Sequence, residues 1–342
     1  MIKPFGLRQI GLMYHLQRSS CSLDVQTNLL EEPWTPLHQA LRGYILKPTA
    51  GVCTYVMHTS EHQRALQGFV QARTRQAGLP WMGRRCSAAV DIVRIAPDLD
   101  FSEDAGTVWY RLLLHLCVAA GEAGTQRLFA RLPEDTLAED VFRQAGFAVY
   151  CRERVFGWSG RPYPTHPASP VRSVTAEDQW EIQKLWRSLT PARVLSAEEP
   201  NGQPASPPAI DVHFSESEQG YVLRREEGDV AGFVHMLRRP RGIWLRLLVS
   251  PEARHAADAL LDHVLITLGE QGNRPIYCAV RDYEDNIESP LQQRGFEHVS
   301  SHSLWVKQTA VQVKENRPRL VHAVGKRAEV APTISHSGTK DH

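Results

Sequence analysis

No stretch of the 342 residues reaches the roughly 18 to 20 consecutive apolar positions that a membrane-spanning helix needs. The longest apolar run, Leu112 to Ala120, is already interrupted by His115. An excess of one charge sign is missing too. Lys+Arg number 39 against 38 Asp+Glu, a net charge of +1. Neither nucleic acid nor an anionic membrane is therefore expected as the main partner. The six cysteines (Cys21, Cys53, Cys86, Cys117, Cys151, Cys278) form no CxxC pair. They read as reduced, mostly buried small hydrophobes, which points to a cytoplasmic protein. There is no Gly-x-Ser-x-Gly elbow, no P-loop and no HExxH. His58 and His62 lie four apart, but on a loop that follows a strand, so no metal is expected.

Composition is ordinary for a globular chain, with 42% hydrophobic and 23% charged residues. What stands out is a phrase that occurs twice. Gly68-Phe69-Val70-Gln71 is followed downstream by Arg143-Gln144-Ala145-Gly146-Phe147, and Gly232-Phe233-Val234-His235 by Gln293-Arg294-Gly295-Phe296. Each pair brackets a strand pattern, a long apolar helix and another strand, so the chain reads as two copies of one unit.

The first copy starts with a strand near Ile2 to Phe5, then an amphipathic helix through Ile10, Met13, Tyr14 and Leu16. Lys3, Arg8 and Arg18 precede the first acid, Asp24, but that pattern is taken as this helix, not as a targeting peptide. Val52 to His58 and Ala65 to Arg73 pair as strands, and Ser87 to Ala96 is a third, stopped by Pro97. Thr107 to Ala123 is a helix with Val108, Leu112, Leu116 and Ala119 on one face. Gln126 to Leu132 is a strand. Thr136 to Ala145 is a short helix with Leu137, Val141 and Phe142 inward. Ala148 to Phe156 closes the copy as a strand.

The second copy repeats the order. Val171 to Val174 is a strand and Ala176 to Leu189 a helix, with Thr175 as N-cap and Trp180, Leu185 and Trp186 apolar. Gly220 to Arg225 and Val230 to Leu237 form a hairpin, whose Arg238, Arg239 and Arg241 read as a solvated turn. Ile243 to Val249 is a strand ended by Ser250-Pro251. Ala256 to Leu268 is a helix, Pro275 to Val280 a strand, Ser289 to Arg294 a helical turn and His298 to Val306 the last strand. Gly, Pro and Ser crowd residues 157–170, which gives the domain limits: 1–157, a linker at 158–169, 170–313, and a polar tail at 314–342 expected to be disordered. Pro200 to Pro208 is expected to be a loop inside the second domain.

This α+β order, with a strand ending in Val249-Ser250-Pro251 and a helix closed by Gly295-Phe296, resembles the GNAT superfamily of acyl-CoA-dependent N-acetyltransferases. Ile95-Ala96-Pro97 and Gly146-Phe147 hold the same stations in the first copy. The resemblance covers about residues 1–157 and 170–308 and implies two tandem GNAT-like domains with mixed sheets. It further implies acetyl-CoA as co-substrate, held in the second domain by Leu247, Leu248, Val249, Arg254, His255, Ala256, Ala257 and Asn286.

Where the family has glycines that expose backbone N–H groups to the coenzyme pyrophosphate, this chain has Ala257 and Ala259, which add methyl groups and disfavour positive φ. The first copy offers Asp98, Asp100, Glu103 and Asp104 there, which repel a pyrophosphate. The family's tyrosine acid, four residues before Gly-Phe, is replaced by Phe142 and Leu291. Tyr283 is the substitute acid, and Asp91 the strand carboxylate that could serve as base. Tyr277, Asp282 and Glu284 lie close by in sequence. Arg238, Arg239 and Arg241 could alternatively meet a coenzyme phosphate.

The function expected is transfer of an acyl group from acyl-CoA to an amine, on a small molecule or a peptide. The alternative is a catalytically degenerate GNAT fold that binds or regulates. A third reading replaces the donor by an aminoacyl-tRNA, and the near-neutral charge argues against it.

Overall fold

The repeated glycines explain themselves first. In the computed structural model, Gly68 lies beneath the helix that holds Val108 and Leu112. A Cβ there would come within 2.5 Å of the Ala96 carbonyl oxygen. Gly232 lies beneath the helix of Ala256 and Leu260, where a Cβ would meet Leu260 at 2.8 Å and Ala256 at 3.2 Å. Both positions are glycine because helix side chains pack directly onto the strand backbone there, leaving no room for a Cβ. The Gly-Phe pairs are helix stops. Gly146 and Gly295 have φ +83° and +80°. Phe147 N–H bonds Phe142 O at 3.0 Å and Phe296 N–H bonds Leu291 O at 3.1 Å. Gly146 and Gly295 donate to Arg143 O and Gln292 O, each at 3.0 Å. This is the Schellman pattern, made twice.

The structure describes residues 1–30, 36–46, 51–61, 64–75, 89–134, 136–158, 160, 171–199, 217–225, 228–253, 255–269 and 274–309. The Pro200 to Pro208 loop, the 314–342 tail, His62, Cys86, Arg254 and nearly all of the 158–169 linker lie outside them. Residues Met1–Val311 form one compact unit.

The first half comprises β1 (Ile2–Pro4), α1 (Ile10–Leu16), β2 (Cys21–Ser22), α2 (Val25–Leu30), α3 (Pro36–Ile45), β3 (Val52–Glu61), β4 (Arg64–Thr74), β5 (Ala89–Ala96), α4 (Ala105–Glu122), β6 (Arg127–Pro133), α5 (Leu137–Gln144) and β7 (Ala148–Trp158). The second comprises β8 (Arg172–Ser173), α6 (Gln179–Leu189), α7 (Ala192–Glu198), β9 (Glu218–Arg224), β10 (Val230–Arg239), β11 (Gly242–Val249), α8 (His255–Gly269), β12 (Ile276–Arg281), α9 (Asp285–Gln293) and β13 (Glu297–Gln308). The α+β class and the doubled order are as the sequence reads.

Among the described residues these strands form one sheet, in the order β1-β3-β4-β5-β6-β13-β7-β12-β11-β10-β9-β8, with β2 on β5. The two halves have exchanged their last strands. β13, from the second half, runs antiparallel between β6 and β7 of the first. β7 in turn pairs antiparallel with β12 of the second. Helices are exchanged as well. Leu30 of α2 packs with Leu237, Trp244 and Ala279 of the second half's strands and with Val155 of β7 beside them. Val194 and Ala197 of α7 pack with Phe129, Tyr150, Cys151 and Leu304 over the first half's.

Each half keeps its own core. Leu112, Leu113 and Leu116 of α4 meet Val90, Ile92 and Leu128, with Phe142 and Phe147 closing one end. Leu260, Leu261 and Val264 of α8 meet Leu245, Leu247 and Cys278, with Leu291 and Phe296 in the same place. Full burial of each such side chain stabilises by about 1.5–3 kcal/mol.

Some side chains part from the sequence reading. Leu137 was expected inward and is 66% exposed, because it sits at the first position of α5. Trp180 is 65% exposed, while Ile182, Leu185 and Trp186 carry the buried face of α6. Of the five described cysteines only Cys151 and Cys278 are buried. The expected turn at Ser289 to Arg294 is the end of a helix that starts four residues earlier, at Asp285. Thr175 does begin the turn into α6. Its N–H and hydroxyl both donate to Asp178, at 2.9 and 3.0 Å.

Candidate functional site

β11 and β12 run parallel and stay in register from Ile243↔Ile276 to Arg246↔Ala279. Beyond that pair β11 continues to Val249 and β12 to Arg281 without further register partners, so the two strand ends diverge. Ser250 N–H turns to the β10 side and bonds Ala231 O at 2.9 Å. Strand alternation then directs the N–H and C=O of Val249 toward β12. The Val249 carbonyl there accepts a 3.2 Å hydrogen bond from Asn286 Nδ2, in the first turn of α9. An equivalent divergence follows Asp91↔Phe129 in the first half, between β5 and β6.

The turn after β11 is held by contacts the sequence reading missed. Ala253 N–H bonds Ser250 O and Ala256 N–H bonds Ala253 O, at 2.9 and 2.8 Å. Arg225, from the β9–β10 hairpin, donates to Ser250 Oγ at 2.7 Å and to Glu252 Oε2 at 3.0 Å. Leu247, Leu248, Val249, Ala256 and Ala257 are all buried in the cores, while His255 is exposed at the start of α8. Of the residues expected to hold the coenzyme, the strand end and Asn286 thus come together. Ala256 has its N–H engaged within the turn, and Arg254 is outside the described residues.

Beside the divergence lies a dense buried ion network. Arg281, the last residue of β12, makes two bonds to Glu198 of α7, at 2.7 and 3.1 Å, and a third to Tyr283 Oη at 3.1 Å. Tyr150 Oη donates to the same Glu198, at 3.1 Å. Arg246 donates to Glu284 at 2.7 Å and to Ala279 O at 2.9 Å. Glu284 also accepts Arg281 N–H at 2.9 Å. Asp282 accepts from Cys151 Sγ and Arg193. Glu153, buried on β7, pairs with Arg131 at 3.2 Å.

Burial sets the proton affinities in this network. Burial raises the Tyr283 hydroxyl above its ordinary value, and the arginines beside it only partly offset that. Glu284 is likewise raised by burial against the pull of Arg246. Burial pushes the Cys151 thiol up to about 12. For Glu198 burial is outweighed by Arg281 and its other donors, and the carboxyl lies below the usual range.

Tyr283 is therefore a protonated phenol whose oxygen accepts from a guanidinium. It lies in the β12–α9 connection, three residues before Asn286 in the first turn of α9. Asp91 is placed elsewhere, on β5, and faces Arg75 at 2.7 Å, with the Arg75 guanidinium 3.8 Å from the Phe129 ring centre. Arg75, Arg246, Arg281 and Glu198 were not singled out from the sequence, whereas Glu284 was noted beside Tyr283. Arg246 could have been flagged as a charge inside the predicted Ile243 to Val249 strand; Arg75, Arg281 and Glu198 lie just beyond or outside the elements read from the sequence. Among the described residues no three His, Cys, Asp or Glu side chains are grouped as a metal site. No described helix is long and apolar enough to cross a membrane.

No protein-family model matches the sequence, and no curated protein matches it. Solved structures do. A GCN5-related N-acetyltransferase from Sphaerobacter thermophilus aligns over 90% of this chain and 95% of its own, at 14% identity and a TM-score of 0.50. A tandem GNAT protein from the clavulanic acid biosynthesis pathway aligns over 90% and 98%, at 12% identity and a TM-score of 0.50. Over about 90% of its length the chain therefore has the fold of these GNAT N-acetyltransferase structures.

Proposed function

We propose that the protein is a GNAT-type acyltransferase that passes an acyl group from an acyl-CoA thioester to an amine, with the second half as the donor site. The observation that carries this reading is the divergence of β11 and β12 past Arg246/Ala279, with Val249 turned into the gap and fixed by Asn286. A pantetheine arm is a string of amides, and an open strand end offers such a string backbone partners. Leu247, Leu248 and Val249 would line the acyl and pantetheine end. Asn286 would hold the strand edge. Arg225, held on Ser250 and Glu252 of the turn, together with His255, Ala256 and Ala257 at the start of α8, would face the phosphates.

The thioester supplies the acyl group, and the protein's part is orientation and proton movement. Tyr283 has the properties of an acid. Like any tyrosine it is protonated at neutral pH; burial raises its proton affinity and opposes donation, and the Arg281 guanidinium at 3.1 Å would offset this by stabilising the phenolate left behind. Asp91 is occupied by its ion pair with Arg75 and is the weaker candidate of the two.

Titration calorimetry of the full chain with acetyl-CoA tests the donor site. Heat of binding that is reduced by Asn286→Ala supports it; no heat at high micromolar ligand removes it. A second reading, binding without turnover, is favoured by one feature. The groups nearest the gap are already satisfied by each other, and Glu252 adds a carboxylate where phosphates would sit. Binding with no acyl transfer to a panel of primary amines is the outcome that reading expects.

A further inference from the structure

We infer that Glu284 is the residue that keeps β11 and β12 apart, and so a positioning residue for the ligand that enters the gap between them. The outer hydrogen bonds of the two strands fix which backbone groups face that gap. Ser250 N–H turns to β10, so Leu247 and Val249 present their N–H and C=O to β12. Asp282 N–H bonds Arg152 O of β7 at 3.0 Å, so Ala279 and Arg281 present theirs to β11. The last register pair is Arg246↔Ala279. A parallel ladder continued past it would run from Arg281 N–H to Leu247 O and from Val249 N–H to Arg281 O.

Glu284 takes both of those Arg281 groups. Its Oε2 accepts Arg281 N–H at 2.9 Å, and its own N–H donates to Arg281 O at 2.9 Å. Its Oε1 accepts from Arg246 Nη2 at 2.7 Å, and Arg246 Nη1 reaches Ala279 O at 2.9 Å. The buried carboxylate is thus pinned to the last paired residue of each strand. Buried backbone groups must find partners, and that need is what draws strands together. With Arg281 satisfied by Glu284, β12 gains nothing by closing on β11. Leu247 C=O and Val249 N–H, the groups Arg281 would have met, are left facing the gap.

The first half has no need of such a carboxylate. Arg152 and Ser301 hold equivalent places, each six residues after the glycine of its Gly-Phe pair. Ser301 O accepts Glu134 N–H at 3.2 Å, as Arg152 O accepts that of Asp282. The station of Arg281 is therefore held there by Pro133, which has no N–H for a ladder to use. Arg281 has one, and Glu284 occupies it. This parting of the strands stands on its own geometry; its consequence for acyl-CoA rests on the acyl-transfer reading.

The test compares two variants of the full chain that both lack the ion pair, so neither buries a lone charge. Arg246→Met with Glu284→Gln keeps a carbonyl oxygen for Arg281 N–H; Arg246→Met with Glu284→Met does not. Ligand-free crystal structures read the distance from Arg281 N to Leu247 O. It should stay open in the glutamine variant and fall to about 2.9 Å in the methionine variant. Calorimetry with acetyl-CoA should show binding weakened roughly tenfold or more in the methionine variant relative to the glutamine variant. A residue that only supports the fold would lower both alike, and melting curves check that both fold. Should Arg246→Met unfold the chain, Glu284→Gln and Glu284→Met alone give the same comparison. A gap that stays open in the methionine variant, or equal binding by both variants, overturns the inference. Failure of the unsubstituted chain to bind acetyl-CoA removes the acyl-CoA reading and leaves the strand distance to decide the role of Glu284.

Discussion

Glu198 and Arg281 are joined by two hydrogen bonds, at 2.7 and 3.1 Å, and each side chain is only 8% exposed. One stands at the end of α7 and the other at the end of β12, so the pair ties an exchanged helix to the mouth of the candidate site. Burying two charges is costly, and the bidentate geometry with Tyr150 and Tyr283 offsets that cost. Removing one partner leaves the other charge buried. Arg281→Ala and Glu198→Ala should each destabilise by about 3–5 kcal/mol. Urea unfolding checks this, and a loss below about 1 kcal/mol would show that water already screens the pair.

The two buried glycines make a second prediction. Gly68→Ala and Gly232→Ala push a methyl group into α4 and α8 and should cost about 1–3 kcal/mol each by overpacking. Gly11, with nothing within 4 Å of a Cβ, is the control. Gly11→Ala, inside α1, should be neutral or stabilising, because alanine has the better helix propensity.

Two buried histidines set an acid limit. Burial lowers His235 to about 4, and burial with Arg131 lowers His302 to about 4, each from an ordinary 6.5. The folded state therefore binds fewer protons than the unfolded state between those values. Stability is full above pH 6.5 and falls as pH drops toward 4, by up to about 3 kcal/mol per histidine. Melting temperature measured from pH 7.5 to 4.5 should decline, and His302→Gln should flatten the curve. A profile that stays level over that range would refute the assignment.

Strand exchange predicts that the halves need each other. A fragment ending at Trp158 lacks β13 and leaves β6 and β7 unpaired along facing edges. A fragment starting at Val171 lacks β7 beside β12. Each alone should be aggregation-prone, as exposed strand edges are. Co-expressed, they should recover the spectrum of the intact chain. Two independently folded, monomeric fragments would contradict the pairing.

Asn286→Ala should weaken acyl-CoA binding by about tenfold, while Tyr283→Phe should lower turnover and leave binding nearly intact. Equal loss of binding in both would instead mark Tyr283 as a packing residue of the Glu198 network.

Much of this was written locally. Spacing of apolar residues predicted α4 and α8 within a few residues, because a helix buries one stripe and the stripe recurs every three to four positions. Gly-Phe marked two helix ends, because a Schellman stop needs positive φ followed by an apolar contact. Leu137 and Trp180 were misjudged, since apolarity alone does not say which end of a helix reaches the core. The candidate site was legible only in part. Val249 and Asn286 were named from their stations, yet nothing in the sequence joined Asn286 to the Val249 carbonyl.

What the sequence determined by itself is the doubled α+β order, for each element depends on neighbours a few residues away. What only the tertiary structure decided is which half each strand and helix completes. The positions of β7, β13 and α2 rest on partners more than a hundred residues distant, and that of α7 on Tyr150 and Arg281, 48 and 83 residues from Glu198. The Arg281–Glu198 pair exists because exchanged α7 brings its carboxylate to the end of β12 out of water, where each charge requires the other.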